Sequence, residues 1–240
     1  MALIKTPEEI VIMKRAARAT QRVFAAALPF IRAGVTEREI ASKMEMIALE
    51  LDGVGGLAFP PIIASGPNGA DPHAEVTDRV LESGDLVTVD FGVTVDGYAS
   101  DMTRTFLLGP ATPSQRKIYY SVKRAQAAGL AAAKAGMACA ELDAVCRSII
   151  EKDGYGEYFI HTTGHGVGTE IHEDPRIGKN SEAFLEAGMV VTVEPGIYIE
   201  GFGGARIEDT VVITETGCEI ITPEIPKNLV PTAKLLRLIL

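Results

Sequence analysis

The sequence predicts an α+β fold made of two homologous halves, and three observations predict it. ESGDLVTVDFG at 82–92 has a near copy in EAGMVVTVEPG at 186–196, which sets Asp90 opposite Glu194, 104 positions later. Helix-start signals are duplicated as TPEE at 6–9 and TPSQ at 112–115, and KRA at 14–16 recurs at 123–125. In each half two helices come first and a run of strands follows, an order that segregates the helices on one face of a sheet. The halves span about 6–109 and 112–221, with GVTEREI matched to GMACAEL, Asp52-Gly53 to Asp153-Gly154, and PHAE to IHED, which pairs His73 with His172. No Ser/Gly-rich linker separates them, so residues 1–240 are expected to form a single domain with one sheet drawn from both halves.

Each first helix starts where Thr6 or Thr112 can cap it, Pro7 or Pro113 takes the first turn, and Glu9 or Gln115 closes a capping box. These helices are expected to end near Gly34 and Gly136. Thr36 and Glu39 offer a further capping box for the second helix of the first half. Residues 82–92 then read as a buried strand. Asp96-Gly97 beyond it is a dipeptide suited to a two-residue type I′ hairpin turn, which sets residue 90 opposite Thr103 and leaves Asp101 on the face of Asp90. In the second half FGG at 202–204 is expected to lengthen the corresponding turn, since Glu194 and Glu208 lie 14 apart against 11 for Asp90 and Asp101.

Composition excludes several classes of function. With 23 basic against 32 acidic residues and a net charge of -9, the chain is a poor match for nucleic acid or an anionic membrane. Its start, MALIKTPEEI, lacks the apolar core of a signal peptide, and no apolar run reaches the roughly 18 residues of a membrane span, so a cytoplasmic protein is expected. Cys139, Cys146 and Cys218 form no CxxC, and reduced thiols are expected. AKLLRLIL at 233–240 could pack on its own domain or on a partner, and a homodimer is compatible with it.

Pseudo-symmetry brings Asp90, Asp101, Glu194 and Glu208 toward one point. Four buried carboxylates repel one another and take up protons unless cations compensate them, and two divalent metals match four negative charges. Three of the four histidines lie in HTTGHGVGTEIHEDP at 161–175. His161 and His165 have the spacing of a helical zinc pair, but the glycines between and around them forbid a helix and the HExxH glutamate is missing. His165, flanked by glycines, is the candidate nitrogen ligand. An imidazole among carboxylates suits manganese, iron, cobalt or zinc better than calcium.

These residues resemble the pita-bread metallopeptidases, which include methionine aminopeptidase, aminopeptidase P and prolidase. VDFG, SDMTRTF, HTTGHGVG, TVEPGIY and RIEDT match that family's five ligand motifs in order. The resemblance implies the pita-bread fold, with one curved antiparallel sheet, and two metal ions, most readily Mn2+, with Co2+, Zn2+ or Fe2+ as alternatives. It makes Asp90 a ligand of one metal, His165 and Glu194 ligands of the other, and Asp101 and Glu208 bridging carboxylates. It also implies that Glu194 shuttles a proton, that His73 and His172 contact the substrate or its developing oxyanion, and that His161 lines the pocket beyond the scissile bond. Arg206, two residues before Glu208, then supports a ligand carboxylate.

GPNGADPHAE, His161 in HTTGHGVG, and RIEDT are similar to the branch that cleaves Xaa-Pro bonds. The expected activity is therefore hydrolysis of such bonds at the N-terminus of small peptides, by a hydroxide bridging two cations that lower the pKa of water toward about 7. The N-terminal domain usual in that branch is expected to be absent, because the chain begins where a catalytic domain would. Methionine aminopeptidase is the nearest alternative, with a non-catalytic peptide-binding member or another metal-dependent hydrolase behind it.

Overall fold

A computed structural model describes residues 3–229 and Thr232, so 233–240 lie outside the described residues. Each half opens with a helix pair: α1 (Pro7–Ala27) and α2 (Glu37–Leu49), then α3 (Pro113–Ala132) and α4 (Cys139–Lys152). The capping boxes form as the sequence requires. Thr6 Oγ1 accepts from Glu9 N at 3.2 Å while Thr6 N donates to Glu9 Oε2 at 2.7 Å, and Thr36 and Thr112 repeat the exchange with Glu39 and Gln115. The first helices stop earlier than expected. Pro29 has no N–H to continue α1, which ends at Ala27 and passes into one 3-10 turn, Leu28–Phe30. Gly34 and Gly136, at φ 88° and 81°, instead shape the turns that lead into α2 and α4.

The first half continues with β1 (Val54–Leu57), β2 (Ile62–Ser65), β3 (Leu86–Phe91), β4 (Val93–Val95), β5 (Tyr98–Ala99) and β6 (Met102–Leu107). The second supplies β7 (Gly164–Gly166), β8 (Glu173–Ile177), β9 (Val190–Val193), β10 (Gly196–Ile199), β11 (Gly203–Arg206), β12 (Asp209–Ile213) and β13 (Cys218–Ile220). Backbone pairing joins them in four antiparallel ladders, ordered β1-β4-β5, β2-β3-β6, β10-β11 and β13-β12-β9-β7-β8. The fold is the expected α+β class. Asp96 and Gly97, at φ 48° and 82°, make the two-residue turn, and Asp90 pairs with Thr103.

The second hairpin differs from expectation. Gly203 and Gly204 are paired strand residues of β11, and the turn is Glu200–Phe202, so one extra residue is in the turn and two are in the returning strand. A glycine is needed there because a Cβ on Gly204 would run into the carbonyl oxygens of Gly69 and Ile197.

Two apolar cores lie under the two helix pairs, and a third, with Met13, Ala17, Val167 and Val190, joins the halves. The seam between β6 and residues 206–210 is held largely by polar groups. Thr105 Oγ1 bridges Arg206 N and O at 3.0 and 2.9 Å, Glu208 N donates to Thr103 O at 3.1 Å, and Thr210 Oγ1 donates to Asp101 O at 2.8 Å. Arg104, only 1% exposed, spends its whole guanidinium on this seam. It donates to Asp209 Oδ1 at 2.8 Å and to the carbonyls of Ile225, Thr103, Glu208 and Thr222. Among the described residues no helix is long and apolar enough to cross a membrane.

Arg104→Ala removes the buried guanidinium from Asp209, which keeps Lys227, Gln126 and Thr222, and takes away a donor from the carbonyls of Ile225, Glu208 and Thr222. A loss of about 3–5 kcal/mol is predicted, read from the urea midpoint, and a loss under about 1 kcal/mol would show that the seam does not depend on this residue.

Candidate metal centre

Every one of the nine residues singled out in the sequence lines one cavity of about 880 Å³ at the seam. Asp90 is on β3, Asp101 directly precedes β6, His165 is the middle of β7, Glu194 follows β9, and Glu208 sits between β11 and β12. The glycines around His165 have a steric reason. A Cβ on Gly164 would strike Thr192 O and one on Gly166 would strike Asp174 O, so only glycine lets β7 press between its neighbours and aim the imidazole inward.

The donor atoms are close. His165 Nε2 lies 3.2 Å from Glu194 Oε1 and 3.7 Å from Asp101 Oδ2, and single donor atoms of Asp101, His165 and Glu208 all fall within 4.8 Å of one another. His165 Nδ1 faces Gly166 O at 3.0 Å, a pairing that fixes this nitrogen as the N–H donor and turns Nε2 to the carboxylates. Glu208 Oε2 accepts from Thr103 Oγ1 at 2.6 Å, and Glu194 Oε1 accepts from Thr192 Oγ1 at 3.1 Å. Asp90 meets a protein cation: Arg206 donates to its Oδ2 at 2.7 Å. Its Oδ1 and the Oδ1 of Asp101 are buried and take no hydrogen bond. Two orphaned carboxylate oxygens, an oriented imidazole and two further carboxylates are of a chemistry that could hold a divalent cation.

The remaining histidines form the facing wall. His172 packs edge-on against His165 with centroids 4.4 Å apart, and His73 stands on the loop after a 3-10 turn at Gly66–Ala70. His161 Nδ1 donates to Thr162 O at 2.7 Å, so its Nε2 accepts from the Tyr198 hydroxyl at 2.8 Å, and that oxygen accepts from Arg206 at 2.8 Å. The sequence motifs contained Tyr198, four residues after Glu194, without marking it. Phe59, Pro61, Ile62 and Ile171 add an apolar side to the cavity that residue chemistry alone did not reveal.

The sequence profile of metallopeptidase family M24 matches residues 11–215. The chain belongs to this family. It is 48% identical over 222 residues to the Xaa-Pro dipeptidase of Pyrococcus furiosus, covering 92% of this chain and 64% of that protein. A solved Xaa-Pro dipeptidase from Bacillus anthracis superposes with a TM-score of 0.93 at 46% identity, covering 95% of this chain and 64% of that one. An X-Pro aminopeptidase from Thermotoga maritima does so at 0.91 and 41%, again over 95% and 64%. The chain thus spans slightly under two thirds of the length of these M24 proteins.

Electrostatics of the M24 site follow from burial. Desolvation, then repulsion from the other carboxylates, lifts Asp101 and Glu208 well above the usual carboxylate range; desolvation also raises Asp90, against the pull of Arg206. Glu194 is desolvated too, but hydrogen bonding and charge from His165, with help from His161 and Arg206, overcome this and hold it at about 2. Burial would lower His165, yet the Glu194 carboxylate raises it. Burial lowers both His161 and His172, and the neighbouring His165 lowers His172 further. The upward shifts mean that protons compete with a cation for the three raised carboxyls and for His165. Adding Mn2+ near neutral pH is predicted to release on the order of one proton or more per protein, read by calorimetry in two buffers of different ionisation enthalpy. Heats that do not depend on the buffer would contradict this competition.

Proposed function

We propose that residues 1–240 are a catalytic domain that hydrolyses Xaa-Pro bonds at the N-terminus of small peptides with two divalent cations. The observation that carries this is the convergence of five ligand-type side chains, two with orphaned oxygens, on a cavity walled by three more histidines. Asp90 would hold one cation, His165 and Glu194 the other, and Asp101 and Glu208 would be shared. Bound there, the cations supply a nucleophile at neutral pH and polarise the scissile carbonyl. Manganese is the proposed metal, because the set has one imidazole and no thiolate.

The chain's own groups do the rest. Arg206 fixes Asp90 through Oδ2, which leaves Oδ1 free to coordinate. Glu194 accepts a proton from the attacking water and returns it to the leaving nitrogen. His172 and His73, with lone pairs and N–H groups on the cavity wall, hydrogen-bond the substrate and its developing oxyanion. His161 and Tyr198 shape the side that receives the proline ring. The preference for proline is supported by the names of the relatives, an Xaa-Pro dipeptidase and an X-Pro aminopeptidase. A peptide rather than a nucleic acid is the proposed partner given the charge of -9, and the cytoplasm, with its reduced thiols, is the proposed compartment, matching free Cys139, Cys146 and Cys218.

Mn2+-loaded protein is predicted to cleave Ala-Pro or Ala-Pro-Ala in preference to Met-Ala-Ser at neutral pH. Cleavage of Met-Ala-Ser alone would transfer the chain to the methionine aminopeptidases, and metal binding without cleavage of any of the three would refute the proposal. Glu208→Ala should lose metal and activity together, as read by metal analysis after desalting. His172→Ala should keep its metal while turnover falls by roughly 10². An unchanged turnover would exclude His172 from catalysis.

A further inference from the structure

His161 sits in an irregular stretch between a single 3-10 turn, Gly156–Tyr158, and β7, two residues before Thr163, whose N–H donates to Ile177 O and whose carbonyl accepts from Glu194 N, both at 2.8 Å. The side chains that hold residues 159–163 are on α4. Asp143 is fully buried, and its Oδ1 accepts from Thr163 N at 3.2 Å and from Thr163 Oγ1 at 2.9 Å. Both its oxygens also take the Arg147 guanidinium, in two bonds of 2.8 Å. Arg147 gives two further donors to the same stretch, to Phe159 O at 2.8 Å and His161 O at 2.9 Å. Its guanidinium stacks 4.0 Å from the centroid of Phe159, whose ring meets the His161 imidazole edge-on at 5.2 Å.

We propose that Asp143 and Arg147 are positioning residues of the site, which fix the main chain of His161 so that its Nε2 meets Tyr198 and, through Tyr198 and Arg206, the ligand Asp90. The proposal rests on the pocket role given to His161 above. Its physical basis is a dense, charged hydrogen-bond network. A buried carboxylate with four donors, tied to a guanidinium with four acceptors, cannot shift the 159–163 segment without leaving a charged group unpaired, so the segment has one low-energy placement. The first half uses the same device. On α2 the fully buried Glu37 accepts from Ser65 N and Oγ, Asn68 Nδ2, and Thr77 N and Oγ1, at 2.6–3.1 Å, and so pins both ends of the loop that carries His73. Glu37 is the first residue of α2 whereas Asp143 is the fifth of α4, so the device is shared although the helix position is not.

Four histidines give the test a direct signal. Imidazole NMR spectra of the metal-free protein should show the His161 resonance displaced in Asp143→Asn and, to a smaller extent, in Thr163→Val, with the His165 resonance in place. Thr163→Val replaces only a hydroxyl with a methyl group and carries both readouts if Asp143→Asn does not fold. With Mn2+ and Ala-Pro, Asp143→Asn and His161→Ala are each expected to lower kcat/KM about tenfold, and the double variant to fall no further than either alone, because both act through one contact. An unmoved His161 resonance in a folded variant, or losses that multiply in the double variant, would overturn the proposal. If the wild type does not cleave Ala-Pro, the peptidase assignment fails, while the NMR result still decides the positioning role.

Discussion

Mutual repulsion among Asp90, Asp101, Glu194 and Glu208 is the constraint on which the rest of the structure depends. Each half contributes two of these carboxylates to one buried pocket, so the charge that would drive the halves apart is concentrated where they meet. The protein answers only part of it. Arg206 pairs with Asp90 and His165 with Glu194, which leaves Asp101 and Glu208 with strongly raised affinity for protons, and a buried oxygen of Asp90 and one of Asp101 without partners. Such a pocket favours divalent cations because they relieve a cost that the fold already bears.

The seam is built to tolerate that cost. Arg104 and Asp209 sit directly behind Asp101 and Glu208, and the guanidinium ties β6 to β12 and to the segment at Thr222 and Ile225 in one buried network. Thr103 and Thr105 add cross-half bonds from alternate residues of the same strand, Thr103 to the Glu208 carboxylate and Thr105 to the Arg206 backbone. Arg206 thus carries two loads. It pairs with Asp90 on one side and holds the Tyr198 hydroxyl toward His161 on the other, which couples the proposed metal ligands to the proposed substrate wall.

Much of this was legible in the sequence because the chain states it twice. Duplicated capping boxes located α1 and α3, and the φ demands of Asp96-Gly97 fixed the register that puts Asp90 opposite Thr103. The repeat also grouped the four carboxylates, since pseudo-symmetry is a statement about space that spacing alone can carry. What stayed hidden depends on partners far apart in the chain. The sequence marks none of Arg104, Asp143 and Glu37, whose partners lie in the segment at 222–225 and in the loops at 159–163 and 65–77. The three extra residues of the second hairpin were countable, but their division between turn and strand was set by the close approach of Gly204 to Gly69, which no local signal encodes.

The central claim is that these halves close on two cations held by five side chains. Crystals grown with Mn2+ and measured at its absorption edge test it most directly. The account predicts two anomalous peaks in the cavity, within coordination distance of Asp90, Asp101, His165, Glu194 and Glu208. A protein that is saturated with Mn2+ in solution but shows no peak there, or peaks bound by other residues, would contradict it.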